Sequence, residues 1–176
     1  PAMTCLFELS IALLITLLNG FFVMAEYSLV RIRKSRLDEL IRQGKSRANT
    51  VLKMSEKLDT YLSATQLGIT ASSLLLGWFG GPLLAEMFRG MFGVSAGTWY
   101  DHSLVFACAF LIIVFLHVVF GELVPRTIAL GKVEQVAMAV AYPLVFFHYL
   151  LYPLVVLFNR ISHAVLCLLG VDPVPD

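Results

Sequence analysis

Long apolar runs separated by one polar, basic stretch set the plan of this chain. Residues 9 to 25 carry no charge, and with their flanks they approach the ~20 residues that a membrane-spanning helix needs, which predicts a first span over about 4–30. A second uncharged run from Thr60 to Ala85 predicts a span over about 60–88, and a third, with no Asp, Glu, Lys or Arg from Ser103 to Gly121, predicts one over about 102–130. Residues 31–59 are polar and helix-permissive. Leu37, Leu40 and Ile41, then Val51, Leu52, Met54 and Leu58, have the 3-to-4 spacing of two short amphipathic helices with Gly44 as the turn between them. The last stretch, 134–169, is apolar but punctuated by Pro143, Pro153, Asn159, Arg160 and His163, and it is rich in aromatics from Tyr142 to Phe158. That pattern predicts a bent helix lying along the membrane, and its length also suffices for a fourth crossing. Gly80-Gly81-Pro82 is expected to break or bend the outer end of the second span, and residues 90–101 to form a short loop with interfacial aromatics.

Composition sharpens the class. With 59% hydrophobic and 14% charged residues and a mean hydropathy of +0.82, an ordinary soluble domain is excluded. The expected fold is an all-α membrane protein with three transmembrane helices, a cytoplasmic helical hairpin (31–59) after the first, and a proline-bent juxtamembrane helix. Charge sets the expected orientation. The basic residues Arg31, Arg33, Lys34, Arg36, Arg42, Lys45, Arg47, Lys53 and Lys57 face only four acids in the same stretch. The excess of Lys and Arg in cytoplasmic loops places 31–59 and the C-terminus in the cytoplasm and the N-terminus outside, in a cell membrane. Positive flanks of a span account for these residues, so no nucleic-acid partner is expected. Glu8 and the lack of a basic leader argue against a cleaved signal peptide. Cys5, Cys108 and Cys167 lie far apart without ligand spacing and are expected as packed or lipid-facing thiols. Residues 171–176 look like the start of a linker, which would make 1–176 a single membrane domain.

The chemistry concentrates in residues 117–127. Glu122 ends an uncharged run, and ionisable groups at membrane depth are rare and line pathways or protein interiors. Pro125 has no N–H, so a helix running through it leaves the Gly121 carbonyl without its donor. A carbonyl beside a carboxylate is an all-oxygen pair of the kind that holds Mg²⁺ or Ca²⁺. In the second span Ser72 and Ser73 serve helix packing, and their oxygens can also ligate a hard cation. Asn19, Gly20, Glu26 and Ser28 are the polar exceptions in the first span, with Asn19 and Glu26 seven residues apart on one helical face. Glu26 also suits pairing with Arg31 or Arg33 near the headgroups. His117 lies five residues before Glu122, which is not a helical zinc spacing, and is expected as a packed or hydrogen-bonded histidine. No nucleophile–base or metalloprotease motif stands out, so no enzyme activity is expected.

Three stretches together carry a resemblance: Asn19-Gly20-Phe21-Phe22-Val23-Met24-Ala25-Glu26 before the basic run, Leu62 to Thr70 in the second span, and Phe120-Gly121-Glu122-Leu123-Val124-Pro125-Arg126 in the third. In joint presence and order they resemble the transmembrane domain of the CorC/CNNM family, over nearly the whole chain. The resemblance implies a homodimeric Mg²⁺ transporter in the lipid bilayer, associated with Mg²⁺ efflux and proposed sodium coupling, so that Na⁺ is the candidate coupling ion. It implies oxygen ligands from all three spans around a largely dehydrated Mg²⁺. Carried over by position, it puts Glu122 and Gly121 at the ion, and Ser73 where eukaryotic relatives have asparagine, with Ser72 beside it. It leaves a backbone carbonyl, Glu26 or Ser28 as the first-span ligand. Paired CBS domains that bind adenine nucleotide are expected downstream, and nucleotide contact only through them. The same acidic site also suits a regulatory or scaffolding membrane protein that senses Mg²⁺ without moving it.

Overall fold

A computed structural model describes the backbone of residues 2–92 and 99–170 and the side chains of residues 7, 9–80, 107, 108 and 110–170. The described residues are helical with no strand, in the order α1 (Ala2–Arg31), α2 (Lys34–Arg42), α3 (Ser46–Glu56), α4 (Leu58–Phe92), α5 (Trp99–Leu116), a π-helical segment (His117–Leu123), α6 (Val124–Gly131) and α7 (Val133–Leu168). Three of these stretches are long and apolar enough to cross a membrane: Leu9–Arg31, Phe110–Gly131 and Val133–Leu168. The expected second span lies in α4, whose side chains beyond residue 80 fall outside the described residues. Of the expected break or bend at Gly80-Gly81-Pro82 the break is excluded, since helix α4 continues through these residues. One expectation needs correction: helix reaches Phe92 and resumes at Trp99, so much of the expected 90–101 loop is helical. Residues 93–98 lie outside the described residues.

The chain divides into two compact units, one of residues 1–23 and 68–127, the other of residues 24–67 and 128–176. In the first unit Ile15, Leu76 and Ile113 form a buried cluster backed by Ile11 and Ala12. Glycines let its helices touch. A Cβ on Gly80 would stand 2.9 Å from Ile113 Cδ1, one on Gly20 2.9 Å from Pro125 Cγ, and one on Gly68 2.6 Å from the Phe22 ring. Small residues at such contacts let membrane helices pack backbone to side chain where no hydrophobic driving force separates lipid from protein. Around this core the unit exposes Leu13, Leu14, Leu17, Leu74, Trp78, Leu111 and Phe115, each at least 60% accessible. An apolar surface on this scale suits acyl chains rather than water.

In the second unit α2 buries Leu37 and Leu40, and α3 buries Ala48, Val51 and Met54. Between them Gly44 takes φ +79, with Gly44 N–H donating to Ile41 and Lys45 N–H to Leu40. This is a Schellman stop, in which the left-handed residue lets the last carbonyls of a helix be satisfied. Helix α7 runs unbroken through Pro143 and Pro153 and buries Val136, Ala137, Val140, Ala141, Leu144, His148 and Val155, one face at helical spacing. His148 stacks on Tyr61, ring centroids 4.4 Å apart. Arg36 of α2 grips both oxygens of Glu134 at the start of α7, at 2.6 and 3.1 Å, and also pairs with Glu39.

Candidate functional site

The π-helical segment occupies the position where the proline acts on the chain. Pro125 stands where the α-helical donor to the Gly121 carbonyl would be, and the preceding turn widens: Val124 N–H bonds back five residues to the Val119 carbonyl. Such widened turns recur at functional sites, because they free backbone groups from the helix's own ladder. The carbonyl of Gly121 is taken instead by a side chain 102 residues away, Asn19 Nδ2, which donates to it at 2.8 Å. Asn19 is 1% accessible and Gly121 is buried. A carbonyl facing a carbonyl would repel, so the amide's orientation is fixed by this bond. Its oxygen, Oδ1, is buried and has no hydrogen-bond partner. An acceptor left so costs about 1–3 kcal/mol, a cost that a cation would remove.

Beside this pair lies His117. Its Nε2 is 3.1 Å from Ser73 Oγ, while the Ser73 hydroxyl donates to the Ile69 carbonyl at 2.8 Å. His117 is therefore hydrogen-bonded, as expected. Gly121 lies under both side chains: a Cβ there would stand 3.1 Å from His117 Nδ1 and 3.2 Å from Asn19 Nδ2. Only a hydrogen fits at Gly121 without displacing one of them. Ser72 is buried at 1% accessibility. An adjoining crevice of about 350 Å³, bordered by Thr16, Leu76, Gly80, Ile113, His117 and Phe120, is lined almost wholly by carbon. It offers an ion nothing, so the polar chemistry sits at Gly121. Among the described residues no three His, Cys, Asp or Glu side chains cluster as a metal site. Any cation held here thus relies on neutral oxygens around at most one or two charged groups, a donor set suited to hard cations.

A family model described as "Cyclin M transmembrane N-terminal domain" matches residues 9–176. The chain belongs to the CNNM family. It is similar to UPF0053 protein YhdT of Bacillus subtilis (strain 168), 39% identical over 160 residues that cover 90% of this chain and 35% of the relative. It is also 39% identical over 163 residues to uncharacterized protein Rv1841c of Mycobacterium tuberculosis (strain ATCC 25618 / H37Rv), covering 93% and 46%. UPF0053 protein sll0260 of Synechocystis sp. (strain ATCC 27184 / PCC 6803 / Kazusa) matches at 34% over 165 residues, covering 93% and 37%. The chain therefore spans less than half the length of each of these relatives.

Within this CNNM-family chain the expected ligands are divided between the two units. Gly121, Ser72 and Ser73 lie in the first unit, the latter two on α4, and Ser73 is held by His117. Glu122 belongs to the same unit, and its side chain is exposed in the single chain. Glu26 and Ser28 belong to the second unit, where Ser28 is buried and its hydroxyl donates to the Ala25 carbonyl at 3.1 Å. Asn19 was not among the ligands expected from sequence. Its signal was there, an amide amid seventeen uncharged residues and on the face of Glu26, but nothing local says which carbonyl it meets.

Proposed function

We propose that this chain is the ion-moving domain of a divalent-cation transporter whose cargo is Mg²⁺, carried outward, with Na⁺ as the coupling ion. The observation that carries this reading is the Gly121 carbonyl, released from the helix ladder by Pro125 and set against a buried Asn19 whose Oδ1 has no partner. Glu122 supplies the negative charge, and Gly121, Asn19, Ser72 and Ser73 supply neutral oxygens. Mg²⁺ dehydrates reluctantly and binds through a carboxylate plus oxygens at near-octahedral angles, so a rigid carbonyl and amide complement one carboxylate. Membership of the CNNM family supports the same reading. In it the expected spans cross the bilayer, α2 and α3 form a cytoplasmic hairpin, and α7 lies along the membrane. The protein is not an enzyme in this reading, since no bond is made or broken.

A homodimer belongs to the proposal. Glu122 is exposed in the single chain although it follows a long uncharged run, and a carboxylate facing acyl chains is costly. A second copy or a water-filled cavity shared with it removes that cost.

The deciding experiment is Mg²⁺ flux into proteoliposomes containing only this purified protein, with imposed Mg²⁺ and Na⁺ gradients. Flux that is lost in Glu122→Ala, with the folded oligomer retained, is the expected result. Wild-type flux by that variant would overturn the site. Mg²⁺ binding without flux under any gradient would favour a sensor.

A further inference from the structure

Helix α7 of the second unit presents an outer stripe as well as a buried one. Gln135, Ala139, Tyr142, Phe146 and Tyr149 recur at three- and four-residue spacing on the side away from its buried residues. Tyr142, Phe146 and Tyr149 are 51%, 64% and 72% accessible. At the head of this stripe, in the same unit, the turn of the α2–α3 hairpin borders a crevice of about 480 Å³ lined by Lys45, Ser46, Arg47, Gln135 and Met138. The crevice is cationic. Its lining holds Lys45 and Arg47 and no carboxylate, and the neighbouring Glu134 has both oxygens taken by Arg36. The Arg47 guanidinium lies over the Tyr142 ring, 5.5 Å from its centroid. This cation–π contact makes the charged crevice and the aromatic stripe one continuous surface.

We propose that this surface binds an anionic phospholipid, with the phosphate held between Lys45 and Arg47 and the acyl chains laid along Tyr142, Phe146 and Tyr149. The inference goes beyond the cation reading and takes from it only the cytoplasmic hairpin and the placing of α7 along the membrane. Charge selects the head. Lysine meets phosphate as a point charge and arginine as a planar fork, and basic residues beside a span draw anionic lipids of the cytoplasmic leaflet. The stripe selects a lipid over a free phosphate, because exposed rings in line with the crevice gain nothing from a soluble ion, whereas acyl chains cover them. Tyrosines at the headgroup level suit that boundary.

The test counts bound lipid. The purified protein in detergent is titrated with phosphatidylglycerol or phosphatidylcholine and examined by native mass spectrometry. Wild type should retain phosphatidylglycerol in preference to phosphatidylcholine, and Lys45→Gln with Arg47→Gln should lower its affinity about tenfold or more. Lys34→Gln with Lys53→Gln removes the same charge from the hairpin outside the crevice and should lower it less than about threefold. Phe146→Ser should weaken phosphatidylglycerol as well, and inorganic phosphate should not displace it. Equal retention of the two lipids by wild type overturns the inference, as does equal loss in the two double variants, which would show diffuse attraction to basic residues. Displacement by inorganic phosphate, with Phe146→Ser unchanged, overturns it in favour of a free-phosphate site. All four substituted cations are exposed, and the wild-type preference decides even if a variant does not fold. Mg²⁺ flux without lipid preference overturns this inference and leaves the cation reading standing. Lipid preference without flux supports it and overturns only that reading.

Discussion

At the scale of the residue, Asn19 and three glycines define what the first unit tolerates. Replacing Asn19 by leucine removes the 2.8 Å bond to the Gly121 carbonyl and leaves that carbonyl buried and unpaired. The unpaired carbonyl costs about 1–3 kcal/mol, offset in part because the unpartnered Asn19 Oδ1 goes as well, so the expected result is a lowered denaturation midpoint in detergent corresponding to less than that range. An unchanged midpoint would mean that the carbonyl has another donor. Gly68→Ala is expected to be worse than Gly77→Ala. At Gly68 the new methyl meets the Phe22 ring, itself 2% accessible, at 2.6 Å, whereas nothing lies within 4 Å of a Cβ at Gly77. Overpacking of this kind costs about 1–3 kcal/mol. Equal midpoints for the two variants would contradict the close contact of α1 and α4 there. The singular character of Glu122 and Pro125 was legible from sequence, because each breaks an apolar run. The Asn19 partner was not, since an amide in a span announces only that it needs one.

The element that matters most is the π-helical segment His117–Leu123. A proline-disturbed helix was expected from Pro125, but whether the disturbance is a kink, a break or a widened turn depends on what fills the space around it. Here Pro125 packs on Gly20 and Asn19 takes the Gly121 carbonyl. Pro125→Ala returns an N–H that can claim that carbonyl in an ordinary helix. The expected outcome is a drop in Mg²⁺ affinity of about tenfold, the scale seen when groups orienting a metal's ligands are lost, with the apo protein as stable as before or more so. Calorimetric titration beside thermal unfolding separates the two effects, and unchanged Mg²⁺ affinity would sever the proline from the site. In the second unit Gly44→Ala forces a Cβ into φ +79. A left-handed conformation costs an L-residue about 1–2 kcal/mol, and equilibrium unfolding of the variant should show a loss of that order. The turn at Gly44 could be read locally because glycine after a run of helix formers has few other uses. The run of α4 through Gly80-Gly81-Pro82 could not, because glycine and proline disfavour helix locally while packing and membrane decide whether it forms.

At the scale of the whole molecule, the proposed homodimer is what would shelter Glu122, whose side chain is exposed in the single chain. The expected state is a dimer, visible by native mass spectrometry or two-step photobleaching in vesicles. A monomer that still transports would show that Glu122 is shielded in some other way. Sequence by itself determined the membrane class, the all-helical content, the family and the Gly121-Glu122-Leu123-Val124-Pro125 anomaly. The family rests on the resemblance of three motifs taken together, and the others follow from composition, period and local backbone chemistry, all of which are written within a few turns of chain. Only the tertiary structure decided that Asn19 reaches Gly121 across 102 residues and that His117 engages Ser73 across 44. Such pairs depend on which glycine admits which neighbour, a matter of helix rotation and approach that no local pattern records.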